Sequence, residues 1–299
     1  MGRPNRTTLA WAATVLASDV TVDRGLREGG SPWLIQAAGN LKSAVLRVAP
    51  LSNAEQVRTE VIAMRHAATA GLPVPEVLGH NGGAATGFAL VLTSYLAGSS
   101  QIPVELDNKR LRTLGATAAR ISAVDVPCPS LVTLPARTGP IEDVDWAALR
   151  RKHGASPMLR RAAEAIERAK PVDTKVGFVH GDLWHGNTLW DGTELTAILD
   201  WDAAGTGSPG IDLGSVRCDA ALCYGPSAAS AVLSGWEGEA SRPAPDVAYW
   251  DVVAALASPP NMAWVRPAMA DQGRPDLTAA LLTERREEFL NQALRQLEQ

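Results

Sequence analysis

His180-Gly-Asp182-Leu-Trp-His-Gly-Asn187, followed by Ile198-Leu-Asp200-Trp-Asp202, is the stretch on which the reading of this chain turns. Between these segments, Thr188 to Trp190 and Leu195 to Leu199 are apolar-rich arms around Asp191-Gly192, a dipeptide suited to a two-residue hairpin turn. With Asp191 and Gly192 as the turn residues, Trp190 faces Thr193 and Asp200 returns level with Leu183. Asp182, Asn187 and Asp200 then converge on one mouth of the hairpin.

Three such side chains suit a particular chemistry. His180 through Asn187 fits the H-x-D-x-x-x-x-N spacing of a phosphoryl-transfer loop, and an aspartate closing an apolar strand soon after sharpens the signal. Phosphoryl transfer has a loose transition state, so catalysis is mostly positioning and charge neutralisation. Asp182 is expected to accept or orient the proton of an attacking hydroxyl. Mg2+ takes hard oxygen ligands and shares them with phosphates, which suits Asn187 and Asp200. His180 is expected to support the loop by packing and hydrogen bonding. His180 and His185 do not make a zinc site, because no second cluster completes a tetrahedral set.

Working outward, residues 20 to 49 look like strands. Trp33 to Gln36 and Ala44 to Val48 flank Gly39-Asn40, a tight-turn dipeptide, and Gly29-Gly30-Ser31 can bring backbone N–H groups close to a ligand. Val57, Val61 and Met64 predict a helix over 53 to 70 with Asn53 as N-cap, stopped at Pro73-Val-Pro75. Phe88 to Thr93 reads as a buried strand, and Leu96 to Ser100 as the joint between two lobes. From about residue 106 the pattern is helical, as at Leu111, Leu114, Ala118 and Ile121, with one β interruption between Val176 and Trp201. Asp246 and Asp276 are expected as helix caps.

The 299 residues allow two packed lobes, and 46% hydrophobic with 20% charged residues is ordinary for a globular chain. A net charge of −4 argues against nucleic acid as a partner. No stretch reaches the roughly 18 apolar residues of a membrane span. Leu9 to Ala17, after Arg3 and Arg6, reads as an amphipathic helix rather than a targeting segment, and the chain is expected to be cytoplasmic. Cys128, Cys218 and Cys223 are too scattered for a disulfide framework and are expected as reduced core residues.

His180 to Asn187, Leu199-Asp200-Trp201 and Gly210-Ile-Asp212-Leu-Gly214 together resemble the aminoglycoside phosphotransferase and choline-kinase-like family. The resemblance implies an α+β, protein-kinase-like bilobal fold: a small antiparallel-sheet nucleotide lobe over 1–97 and a larger, mostly helical catalytic and acceptor lobe over 98–299. It also implies Mg2+ and ATP or GTP as donor, with a hydroxyl of a small molecule as acceptor. Within it, Arg47 in Ala44-Val-Leu-Arg47 resembles the basic residue that holds the nucleotide phosphates, and Glu60 the helix glutamate that pairs with it. Ser31 falls at the phosphate-covering loop, and Thr93, Ser94 and Tyr95 beside the base. Asp212 resembles the aspartate that braces the catalytic loop. Ser122, Trp184 and His185 depart from residues frequent in the family.

Gly205-Thr-Gly207-Ser-Pro-Gly210 matches G-x-G-x-x-G, but no acidic residue or clear strand follows as a dinucleotide site requires. Its glycines are expected as a flexible segment after Asp200. No G-x-x-x-x-G-K-[ST] loop occurs. Asp202, Trp250 and Trp264 are assigned to the acceptor pocket, with Trp236, Tyr249, Glu237, Asp246 and Asp251 as further contributors. The competing reading is a non-catalytic, nucleotide-binding regulatory module on the same fold. The acceptor, the choice between ATP and GTP and the oligomeric state stay open.

Overall fold

A computed structural model describes residues 3–27, 31–39, 43–84, 86–125, 134–171 and 175–299. Cys128, Gly29, Gly30 and Asn40 lie outside them. Strands β1 (Val20–Gly25), β2 (Trp33–Ala37), β3 (Ser43–Ala49), β4 (Val77–Asn81) and β5 (Ala89–Ser94) form one antiparallel sheet in the order β1-β2-β3-β5-β4. The apolar run near the N-terminus is a helix, α1 (Arg6–Leu16), capped by the Asn5 side chain, which accepts from Thr8 N. It covers one face of the sheet, where Ala12 packs with Ile35, Ala44, Leu46, Leu90 and Leu92.

Strand alternation decides what the other face carries. In β3, Ala44, Leu46 and Val48 are buried under α1, so Val45 and Arg47 must point the opposite way. Helix α2 (Ala54–Thr69) lies in the rest of the core, with Val57, Val61 and Met64 packed in one cluster with Leu183, Trp190, Ile198 and Trp201. Asn53 precedes α2 but makes no capping bond, because the chain enters through a 3-10 turn (Leu51–Asn53) whose backbone is already near-helical.

Among the described residues the remainder is mostly helical. It comprises α3 (Asn108–Ser122), α4 (Trp146–His153), α5 (Pro157–Arg168), α6 (Gly210–Tyr224), α7 (Ala229–Ala240), α8 (Val247–Leu256), α9 (Arg266–Asp271) and α10 (Ala279–Leu297). Helices α3 and α7 cross very closely: a Cβ on Gly115 would fall 1.9 Å from the Val232 carbonyl oxygen. Arg217 on α6 and Asp251 on α8 form a buried, two-pronged ion pair at 2.8 and 2.7 Å.

The β interruption runs further than expected. β6 (Gly177–Val179) pairs antiparallel with β9 (Gly205–Gly207), and β7 (Thr188–Asp191) with β8 (Glu194–Ile198). The glycine-rich segment after Asp200 is therefore not flexible: Gly205 to Gly207 is a buried strand. Its partner is antiparallel, so the G-x-G-x-x-G match sits in no parallel βαβ unit. Asp246 stands at the start of α8 without a side-chain capping bond. Asp276 caps nothing; it pairs with Arg274 at 2.8 Å, and Thr278 caps α10 instead. No helix among the described residues is long and apolar enough to cross a membrane.

Candidate active site

The β7–β8 hairpin turns one residue later than the sequence suggests. Asp191 pairs with Glu194, so Gly192 and Thr193 form the turn, and a bulge then puts Thr188 opposite Ile198. Gly192 has φ +56°, and a glycine at the first central position suits a type II′ turn. Asp200 consequently returns beside Gly186 and Asn187 rather than Leu183, and the Leu199 N–H donates to the Asn187 carbonyl at 2.8 Å. The convergence at the hairpin mouth survives the change of register.

The loop from His180 to Asn187 is bound on every side. The Asp212 carboxylate, in the first turn of α6, accepts from His180 N at 2.8 Å and Gly181 N at 2.9 Å. His180 is fully buried: its Nδ1 faces the Asp182 N–H at 3.3 Å, so Nε2 carries the proton and donates to the Leu199 carbonyl at 2.9 Å. Burial pushes the His180 pKa down, which keeps the ring neutral for this role. Gly181 has φ +81°, and a Cβ there would strike the Ala203 carbonyl oxygen at 2.1 Å. Asn187 Nδ2 donates to both the Asp182 carbonyl (2.9 Å) and its carboxylate (3.0 Å). Its own side-chain oxygen is left as the acceptor. Burial, then the Asp200 charge, push Asp182 up to about 8, against the Asn187 bond.

Across from this loop, Arg47 is held by three carboxylates. Its Nη1 lies 2.8 Å from Asp200 and 3.1 Å from Glu60, and its Nη2 2.5 Å from Asp202. The Glu60 contact is an ion pair by distance without an aligned hydrogen bond, and Glu60 Oε2 has no other partner. Burial opposes the Arg47 charge, yet Glu60, Asp200 and Asp202 together hold its pKa above the ordinary value. Burial pushes Glu60 up to about 7 despite Arg47. Asp200 has a left-handed backbone, φ 62° and ψ 62°, which aspartate tolerates better than most residues.

Ser31, Arg47, Glu60, Thr93, Ser94, Tyr95 and Asp200 all line one cleft of about 590 Å³. Ser94 donates its N–H to the Glu76 carbonyl at 2.9 Å, and its hydroxyl oxygen accepts from the Glu76 N–H at 2.9 Å. Several lining residues escaped the sequence reading. Arg24 and Arg27 add positive charge, and their position just before Gly29-Gly30 was the available signal. Val45, Val91, Leu189 and Leu199 provide apolar walls. Arg27 also donates to the Gly186 carbonyl at 3.0 Å, linking the β1–β2 connection to the loop.

The acceptor assignments fare worse. Asp202 belongs to the Arg47 cluster, because the hairpin register turns it toward β3. Trp250 is core: its indole lies against Gly210, where a Cβ would fall 2.0 Å from Cδ1. Trp236 and Tyr249 are buried, Asp251 is spent on Arg217, and Glu237 accepts from Ala244 N at 3.1 Å. Trp264 alone among these four aromatics is open, 45% exposed and edge-on to His153.

A five-stranded antiparallel lobe above a helical one, with these residues at their junction, defines a kinase-like small-molecule phosphotransferase fold. The profile of the phosphotransferase enzyme family matches residues 24–256, and the chain belongs to that family. The fold is similar to a provisionally assigned aminoglycoside phosphotransferase from Ralstonia eutropha (TM-score 0.68, 15% identity, 97% of this chain and 96% of that one). It is also similar to a macrolide 2′-phosphotransferase from Brachybacterium faecium (TM-score 0.62, 20% identity, 91% and 95%). A third similar structure is a spectinomycin phosphotransferase in complex with ADP and spectinomycin (TM-score 0.60, 12% identity, 100% and 99%). No curated protein matches the chain.

Proposed function

We propose that this protein transfers the γ-phosphoryl group of ATP or GTP to a hydroxyl of a small molecule. One observation carries the reading: the Arg47–Glu60 pair and Asp200 line a single cleft beside the hydrogen-bonded Asp182–Asn187 pair. The apolar walls suit a flat base, with Thr93 and Tyr95 at its edge. Arg47, Arg24 and Arg27 suit the triphosphate, and the planar guanidinium of Arg47 offers five donors in a fork matched to phosphate.

The residues also fit Mg2+. The donor set is hard oxygen, from the Asp200 carboxylate and the Asn187 amide, and the acidic cluster already gathers a cationic group in Arg47. Bound there, Mg2+ would neutralise charge on the transferring group. Asp182 would take the proton of the acceptor hydroxyl as its oxygen bonds to the γ-phosphorus, while the bond to the bridging oxygen breaks and the diphosphate leaves. Asn187 keeps the Asp182 carboxylate oriented for that proton. Such consumption of nucleoside triphosphate fits a cytoplasmic protein.

The macrolide and spectinomycin named for the similar structures make antibiotics the first acceptors to try. The test incubates the protein with Mg2+ and labelled ATP or GTP across aminoglycosides, macrolides, sugars and amino alcohols, beside Asp182→Asn. Acceptor-dependent product that disappears in the variant is the expected result. Nucleotide binding without transfer to any acceptor would favour a regulatory module, and no nucleotide binding would overturn the reading.

A further inference from the structure

Helix α6 carries a second carboxylate aimed at the 180–187 loop. Asp219 lies seven residues after Asp212, two helical turns further along the same face, about 10 Å along the axis. Asp212 binds the loop where it begins, at His180 N and Gly181 N. Asp219 binds it where it ends: its Oδ2 accepts from His185 N at 3.1 Å and also from the His185 ring nitrogen Nδ1. Its other oxygen meets the Cys223 thiol, one turn further along α6, at 3.7 Å. All three side chains are buried.

A carboxylate buried this deeply costs several kcal/mol unless donors surround it, and an apolar residue would pack there at lower cost. The donors it gathers are what hold the loop. His185 opens the 3-10 turn His185–Asn187; Asp219 fixes its N–H, and Thr188 Oγ1 donates to its carbonyl at 2.6 Å. Asn187 leaves that turn with its amide on Asp182. Burial pushes the Cys223 thiol far above its ordinary pKa, so it is a donor to Asp219 and not a thiolate.

We infer that Asp219, acting through His185, is a positioning residue that sets the Asn187 side chain, and with it Mg2+ affinity in the nucleotide complex. The inference rests on the function proposed above. Its test is binding of a fluorescent ATP analogue with and without Mg2+, for the parent, Asp219→Ala, Asp219→Asn and His185→Ala, each first checked for folding by thermal melting.

In Asp219→Ala the Mg2+ concentration for half-saturation should rise roughly 10-fold or more, the scale of lost outer-shell partners in metal sites. Metal-free nucleotide binding should stay within about 2-fold, because it depends on the arginines of the cleft. Asp219→Asn keeps an acceptor oxygen and should fall between parent and alanine, and His185→Ala keeps the backbone bond and should do the same. An unchanged Mg2+ requirement in a folded Asp219→Ala or Asp219→Asn protein overturns the inference. So does an equal weakening of metal-free and Mg2+-dependent binding, which marks a merely structural role. If the parent itself binds no nucleotide, the proposed function fails first, and that is seen before any variant is compared.

Discussion

Glu60→Gln tests the electrostatics of the cleft at the partner of Arg47 while leaving Asp182, Asn187 and Asp200 in place. Glu60 is 9% exposed and 3.1 Å from Arg47, yet burial outweighs that partner and pushes its pKa from 4.5 to about 7. Between those two values the folded protein binds a proton that the unfolded chain has already released. Stability attributable to Glu60 is therefore fully present below pH 4.5 and is lost as pH rises through 7. The span of about 2.5 pK units corresponds to at most about 3 kcal/mol. An amide cannot titrate, so this component vanishes in Glu60→Gln. Urea unfolding of both proteins from pH 4.5 to 8 reads the difference directly. The parent should lose about 3 kcal/mol relative to the variant across the window, leaving the variant the more stable protein at pH 8 relative to its own acid value. Parallel pH profiles would refute the claim that burial dominates at Glu60.

Four further outcomes follow from the geometry. Asp200→Ala should abolish Mg2+-dependent turnover while the protein remains folded by circular dichroism, and near-normal activity would remove Asp200 from the metal role. Asp251→Ala strands the buried Arg217 guanidinium and should cost roughly 3–5 kcal/mol in urea unfolding, whereas replacing both partners by apolar residues should recover most of that loss. Trp250→Ala should cost about 3–5 kcal/mol because it empties a packed site against Gly210. Trp264→Ala should change stability by less than about 0.5 kcal/mol, so any fall in acceptor affinity there would mark a ligand contact.

Much of this architecture was legible locally. The continuous apolar run of β5, the helical stripe of Val57, Val61 and Met64, and the H-x-D-x-x-x-x-N spacing are short-range patterns, and each element formed where its pattern lay. Arg47 and Glu60 were paired by resemblance, and the structure sets them 3.1 Å apart. The turn at Gly192-Thr193 was misplaced because a glycine suits either central position in different turn types, and the sequence does not state which backbone twist the strands demand. Asn53, Asp246 and Asp276 have capping chemistry, but whether a cap is used depends on how the chain enters the helix.

Residue types and their local spacing thus determined the order of a strand-rich part before a helical one, the β7–β8 hairpin and which three oxygen-bearing side chains stand at its mouth. Only the tertiary structure decided which acids serve Arg47, that Trp250 is core while Trp264 is open, and that Asp219 reaches His185 across 34 positions of chain. The physical reason is range. Helix and strand periodicity are enforced by each residue's own backbone and near neighbours, whereas a buried charge takes its partner from whatever packing brings within about 3 Å.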